Sequence, residues 1–207
     1  PLVLGLVVLA GVIAALALRP VARAQGAAGD PAAIARRFAE VQGIINQLLM
    51  LARVEGSMSF EDDERLHAAA IAEQVIMQLP AQQAARVCVR DEGGAARALR
   101  IPASLALTAL RNIVDNALRY GDAEATVVLR IVQHGGMAGF TVEDQGSGMS
   151  DADIGKAGQR FWRKGGGQGS GLGLSIVNAI VARYDGGWKL ERREGGGLAA
   201  HLGFPAD

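Results

Sequence analysis

The stretch Gly169-Ser170-Gly171-Leu172-Gly173-Leu174-Ser175-Ile176-Val177 decides the fold. Three glycines alternate with small or apolar residues, and an apolar helical pattern follows at once. Glycine takes φ > 0 readily and lets backbone come close to a ligand. The N–H groups of such a turn, with the N-terminus of the next helix, form an anion site. The reading is a phosphate cradle feeding a helix over about Leu172–Tyr184. A plain flexible loop has the same composition, so the partners of this run carry the argument.

The partners lie upstream. Arg111-Asn112-Ile113-Val114-Asp115-Asn116-Ala117-Leu118-Arg119-Tyr120 sits in a helical pattern, with apolar residues at Leu110, Ile113, Val114, Ala117 and Leu118. Asn112 and Asn116 are i,i+4 and share one face. Val142-Glu143-Asp144-Gln145-Gly146-Ser147-Gly148-Met149 is an apolar strand end running into Asp-x-Gly-x-Gly, and Arg160-Phe161-Trp162-Arg163 precedes the glycine run. In this order the four pieces resemble the N, G1, F and G2 boxes of sensor histidine kinases, which share the nucleotide-binding fold of the gyrase, heat-shock-90 and mismatch-repair ATPases. The resemblance covers about Ser57–Phe204 closely and Ala32–Glu55 more loosely.

The fold class implied is α+β: a two-layer α/β sandwich, a mixed sheet covered by helices. A helical hairpin remnant and an N-terminal transmembrane helix precede it. The expected division is 1–24 for the membrane helix and juxtamembrane segment, 25–56 for a dimerisation helix, and 57–207 for the ATP-binding catalytic domain.

Composition agrees with one or two domains: 207 residues, half of them hydrophobic. Net charge is zero by count, so no global field favours nucleic acid, and none is expected as a partner. The single cysteine, Cys88, excludes an intrachain disulfide and weakly favours a reducing compartment. It stands in the alternation Val87-Cys88-Val89 and reads as a buried strand residue.

From the N-terminus, Leu2–Leu18 carries no charge, and Arg19 and Arg23 follow. A membrane-spanning helix is the favoured reading. The arginines then lie on the cytoplasmic side by the positive-inside rule. A signal peptide and a buried globular helix are the competing readings; a signal peptide would carry its charges before the apolar run.

Asp30-Pro31 reads as N-cap and first helical position. Ile34, Phe38, Val41, Ile45, Leu48 and Ala52 then follow a heptad seam. By resemblance this is the second helix of a dimerisation hairpin, two of which form a four-helix bundle. One amphipathic helix packed on its own domain is the simpler reading. The phospho-acceptor histidine of the family belongs on the first hairpin helix, yet no histidine occurs before His67. No catalytic residue is therefore identified.

Further on, Glu61–Gln78 reads as a helix with apolar positions Leu66, Ala69, Ala70, Val75, Ile76 and Leu79, ended by Pro80. His67 falls in its first turns as a surface residue. Arg86–Arg90 is a short strand, and Ile101-Pro102 leads into the helix bearing the asparagines. Ala125–Gln133, the turn His134-Gly135-Gly136 and Met137–Glu143 form a hairpin. Ser150-Asp151-Ala152-Asp153 carries a capping-box pattern. Trp188–Arg192 and Leu198–Gly203 are the last strand pair, with His201 facing outward.

The resemblance implies ATP and Mg²⁺ as ligands. Asp144 reads the amino group of adenine, and Gly146 and Gly148 let the chain pass beneath the base. Asn116 offers a neutral oxygen to Mg²⁺, a cation that prefers hard oxygen ligands, and Asn112 faces the same site. Arg119 meets a phosphate and Tyr120 packs near the nucleotide. Gly169, Ser170, Gly171, Leu172 and Gly173 cradle the phosphates.

Between Met149 and Gly169 lies a lid. Phe161 and Trp162 anchor it, Arg160, Arg163 and Lys164 bring positive charge to the phosphates, and Lys164–Gln168 orders on nucleotide binding. In the hydrolytic cousins a water-activating glutamate stands where this chain has Asn112. An amide cannot take that proton, which argues against hydrolysis.

The function implied is a bacterial inner-membrane sensor histidine kinase with a cytoplasmic catalytic domain. It transfers the γ-phosphate of ATP to a histidine for relay to a response regulator, and it forms a homodimer through the helical hairpin and joins the membrane through residues 2–18. The alternative is an ATP-binding regulatory module that cannot phosphorylate itself for lack of the acceptor.

Overall fold

The computed structural model describes residues 31–56, 64–164 and 169–207. Leu2–Leu18 and the Asp30 cap lie outside the described residues. Among the described residues no helix is long and apolar enough to cross a membrane. The chain divides into two compact units, one ending at Met50 and one running Leu51–Asp207.

In the first unit the helix Pro31–Glu55 (α1) contributes all but its last turn. Phe38 and Ile45 of its heptad seam stand exposed, while Val41 and Leu48 are half-buried.

The second unit is built on a five-stranded mixed sheet, the coarse fold expected. Strand β1 (Val87–Glu92) runs parallel to β2 (Val127–His134). The other pairs are antiparallel: β2 with β3 (Met137–Glu143), β3 with β5 (Leu198–Pro205), and β5 with β4 (Gly187–Arg192). The order across the sheet is β1-β2-β3-β5-β4. Gly135 and Gly136 turn the β2–β3 hairpin, both at positive φ.

Strand periodicity sends alternate residues to opposite faces. Leu129, Ile131, Phe140, Val142, Leu202 and Phe204 are buried on one face. Helices α2 (Ala68–Met77), α4 (Ala103–Tyr120) and α6 (Gly173–Arg183) accompany that layer. Two short helices, α3 (Ala81–Ala84) and α5 (Asp151–Ile154), also occur among the described residues. Ser150 caps α5 as its sequence pattern requires: its Oγ accepts from Asp153 N at 3.2 Å.

Helix α4 forms the spine, packing against α2 on one side and α6 on the other. Leu105, Ala106, Ala109, Leu110, Ile113, Val114, Ala117 and Leu118 recur at helical spacing and all are buried. Each fully buried Leu or Ile contributes about 1.5–3 kcal/mol by leaving water.

Four expectations are corrected. Among the described residues, the helix expected over Glu61–Gln78 runs from Ala68 to Met77, and Glu64–Leu66 are not helical. A bridge between His67 and Ala98 and the bond from Leu99 N to Leu66 O (3.2 Å) tie this segment to a neighbouring loop instead. The face of α2 that meets the core is Ala68, Ile71, Ala72 and Val75, a register not read from the sequence. Cys88 is half-exposed, because its pairing with Val128 places it on the sheet face opposite the helices. His201 is not a bare surface residue; its ring bonds Thr141 and Glu191.

Candidate nucleotide site

The site is assembled where the C-terminal half of α4, the loop after β3 and the turn before α6 converge. Glycines mark each close approach. At Gly173 an added Cβ would stand 2.7 Å from Asn112 Oδ1. Asn112 is itself oriented, its Nδ2 donating to Thr108 O at 2.9 Å. A Cβ at Gly169, where φ is +117°, would lie 2.5 Å from Arg119 Nη1. The glycine run therefore rests against the asparagine helix at two points one helical stretch apart.

The third wall follows β3. A Cβ at Gly146 would lie 2.2 Å from Tyr120 O, and one at Gly121 would lie 3.2 Å from Asp144 Cβ. The end of α4 and the Asp144–Gly148 loop are thus in direct contact, with Tyr120 about half exposed beside them.

Asp144 is 7% exposed. One carboxylate oxygen, Oδ1, accepts from Gly146 N at 2.8 Å and Leu198 N at 3.2 Å. Its backbone is held as well: Asp144 N donates to Leu198 O at 2.9 Å, and Arg193 Nη1 donates to Asp144 O at 2.6 Å. Oδ2 accepts no hydrogen bond from the described residues. A carboxylate with one oxygen fixed by backbone N–H groups and the other open to solvent is an acceptor prepared for a donor on a ligand.

The lid closes on the same ring. Phe161, at φ +62°, donates from its N–H to Gly171 O at 2.9 Å. Arg163 Nη1 donates to Gly169 O at 3.0 Å, and Lys164 Nζ donates to Gly148 O at 2.7 Å. Two of the expected lid cations therefore stand beside the glycine loops. Arg160 does not: it pairs with Glu55 in the last turn of α1. Arg183 joins it there, donating to Val54 O at 2.7 Å.

Asn116 is half-buried, one turn beyond Asn112, and makes no side-chain hydrogen bond to a described residue. Its carbonyl oxygen is thus available. Ser170 Oγ accepts from Leu172 N at 3.1 Å, and Ser175 Oγ donates to Leu172 O at 2.8 Å. The Leu172 side chain is fully buried, so its contribution to a ligand would come from its backbone. Among the described residues no three His, Cys, Asp or Glu side chains cluster as a metal site.

Two contributions escaped the sequence. The β4–β5 turn, with Gly195, Gly196 and Gly197 all at positive φ, lies on the Asp144 loop. A Cβ at Gly197 would stand 2.1 Å from Asp144 O. Arg193, at the head of this turn, holds that same oxygen. The signal was the triple glycine, which reads as a bare turn until its neighbour is known. An open cleft of about 440 Å³ lined by Val54, Glu55, Arg160, Asn178 and Arg183, among others, uses none of the nucleotide-site residues.

A mixed sheet backed by helices, with a phosphate-type glycine turn meeting an asparagine helix and a buried aspartate, defines a nucleotide-binding ATPase module. The chain belongs to the histidine kinase-, DNA gyrase B- and HSP90-like ATPase family, whose model matches residues 102–207.

Among curated proteins it is 34% identical over 146 residues to the sensor protein QseC of Salmonella typhi, covering 68% of this chain and 31% of that protein. To the sensor protein kinase PmrB of Pseudomonas aeruginosa it is 32% identical over 177 residues, covering 83% of this chain and 37% of PmrB. The chain thus spans about a third of the length of these relatives. The structure of the Acinetobacter baumannii histidine kinase AdeS superposes with a TM-score of 0.72 at 16% identity, covering 96% of this chain and 95% of that one. That likeness establishes the shared fold.

Proposed function

We propose that this chain is the ATP-binding, phosphoryl-transferring part of a sensor histidine kinase, with residues 57–207 as its catalytic domain. The observation that carries the reading is Asp144: buried, pinned through one oxygen and presenting the other. Adenine offers an amino donor of matching sense. Gly146 and Gly148 supply the backbone beneath the base, and Tyr120 an aromatic ring at its edge. Asn112, Arg119, Arg163 and the Gly169–Gly173 turn supply the phosphate side. Transfer of this kind is largely positioning plus charge neutralisation, which such a ring of amides, N–H groups and guanidinium groups is suited to give.

The residues fit Mg²⁺ as well. Asn116 would hold the ion through its unengaged oxygen, with water and phosphate oxygens as the further ligands expected of this cation. Mg²⁺ supplies neutralisation of the triphosphate charge. Asn112 orients without accepting a proton, so the site favours transfer to a separate acceptor over hydrolysis. The acceptor is a histidine outside the catalytic body, and the next recipient is an aspartate of a response regulator. The exposed seam positions Phe38 and Ile45 support homodimerisation through α1, and the uncharged run at residues 2–18 supports a bacterial inner-membrane anchor with the catalytic domain on the cytoplasmic side. A purely regulatory ATP-binding module is not favoured, since PmrB, 32% identical over 83% of this chain, is named a sensor protein kinase.

The test is incubation with γ-labelled ATP and Mg²⁺, with and without the histidine-bearing hairpin of a relative as acceptor. Acid-labile, base-stable label on protein, absent with Asp144→Asn, is expected. Free phosphate released at one rate with or without acceptor, with no protein label, would contradict the kinase reading.

A further inference from the structure

The sheet face opposite the helices carries a chain of charges that ends at the candidate site. Arg130 on β2 pairs with Glu92 on β1 and, at 2.9 Å, with Glu143 Oε1 on β3. Glu143 Oε2 pairs with Arg193 Nη2 at 3.5 Å. Arg193 Nη1 then donates to Asp144 O at 2.6 Å. Each oxygen of Glu143 is thus committed to one guanidinium. Glu143 is the most buried member, 17% exposed, and Arg193 is 30% exposed. Two carboxylates and two guanidinium groups cancel, so the network brings no net charge.

This arrangement does more than tie strands together. Guanidinium is a rigid planar fork. With one arm on Glu143, its other arm is fixed in direction and lands on a single backbone oxygen. That oxygen belongs to the residue whose carboxylate faces the ligand. The bond is charge-assisted, and such bonds are about twice as strong as neutral ones. Gly195, Gly196 and Gly197 allow the turn to fold Arg193 back over the loop, and Arg193 N itself donates to Gly197 O at 3.3 Å.

We propose that Arg193, oriented by Glu143, is a positioning residue for base recognition: it fixes the Asp144 peptide so that the free carboxylate oxygen meets the exocyclic amine of adenine. The inference rests on the proposal that Asp144 reads the base. It assigns to the β4–β5 turn a part in nucleotide specificity, distinct from the glycine loops that hold phosphate.

The readout is preference between nucleotides, which a purely structural role leaves unmoved. Full-length chain is titrated calorimetrically with Mg-ATP and with Mg-ITP, in which a carbonyl replaces the amine. Wild type is expected to prefer ATP. Arg193→Ala is expected to lose about tenfold of that preference, the order of one charge-assisted hydrogen bond, through weaker ATP binding with ITP binding little changed. Glu143→Gln keeps the side-chain shape but leaves one acceptor oxygen, without charge, for the two guanidinium groups, so it is expected to lose part of the preference. It also serves if Arg193→Ala fails to fold.

Wild-type preference in folded Arg193→Ala, or in Glu143→Gln where the alanine variant does not fold, overturns the assignment. Asp144→Asn separates the two claims. If it abolishes the preference while the Arg193 and Glu143 variants retain it, only the positioning role fails. If it too retains the preference, base reading by Asp144 has failed and the positioning role with it.

Discussion

Gly173 faces Asn112 so closely that a Cβ would stand 2.7 Å from Asn112 Oδ1. This one approach joins the phosphate-type turn to the asparagine helix and sets the distance between α4 and α6. The atom in the way is the tip of a side chain, so it can swing aside, but only by giving up the bond to Thr108 O.

Gly173→Ala is therefore expected to separate binding from stability. Its φ is ordinary, so no backbone strain adds to the cost. Thermal unfolding should shift by little, with the loss limited to about 1 kcal/mol for one side-chain hydrogen bond. Mg-ATP affinity should fall several-fold, because a misdirected amide reaches into the site. Calorimetric titration beside a melting curve checks both. A large drop in melting temperature would show that the contact is mainly structural.

Gly197→Ala should behave differently. Its φ is +84° and its Cβ would meet backbone, 2.1 Å from Asp144 O. Left-handed backbone alone costs an L residue about 1–2 kcal/mol, and here neither neighbour can swing away. Both stability and ATP binding should fall. Gly135→Ala is the control: φ is +56° and nothing lies within 4 Å, so only the conformational cost applies and binding should be unchanged. Equal effects at the two glycines in urea unfolding and in titration would contradict this account.

Glu191 supplies a pH prediction. Its carboxyl is held below the ordinary value of 4.5 chiefly by the hydrogen bond from Lys189, with His201 adding a smaller pull. A carboxylate whose folded-state pKa is depressed contributes stability above its unfolded value and loses it as pH falls through the folded one. Wild type and Glu191→Gln should therefore differ slightly near neutrality and converge in acid, well below the ordinary carboxylate range. Melting temperatures measured from neutral pH downward test this. A gap that widens toward acid would reverse the assignment.

The legible parts of this molecule were local. The α4 pattern, the β2–β3 hairpin and the glycine run each declare themselves through period or turn chemistry within a dozen residues. Asn112, Asp144 and the Gly169–Gly173 turn are read together because the order of their motifs resembles the boxes of sensor histidine kinases. What stayed hidden depended on distant sequence. Arg193 reaches Asp144 across 49 positions, and no periodicity announces such a contact. Cys88 sits in a convincing apolar alternation, yet its register places it on the sheet face away from the helices and leaves it half-exposed. Helix α2 begins late because Leu66 O accepts from Leu99 N and Ala68 N donates to Arg97 O, both in a neighbouring loop, and nothing in the local pattern encodes that loop. Arg160 reads as a phosphate-side cation, but Glu55 takes it, a partner 105 residues away.

The most direct measurement is calorimetric titration of the full chain with Mg-ATP, wild type against Asp144→Asn. The substitution keeps the side-chain shape and the acceptor at Oδ1. It can replace the oxygen presented to the ligand with a donor, which repels an amine. Saturable one-site binding by the wild type, weakened at least tenfold in the variant whose fold and melting temperature are retained, is the result predicted. Equal affinity in the two proteins would mean that Asp144 does not read the base, and the nucleotide site would have to be placed elsewhere.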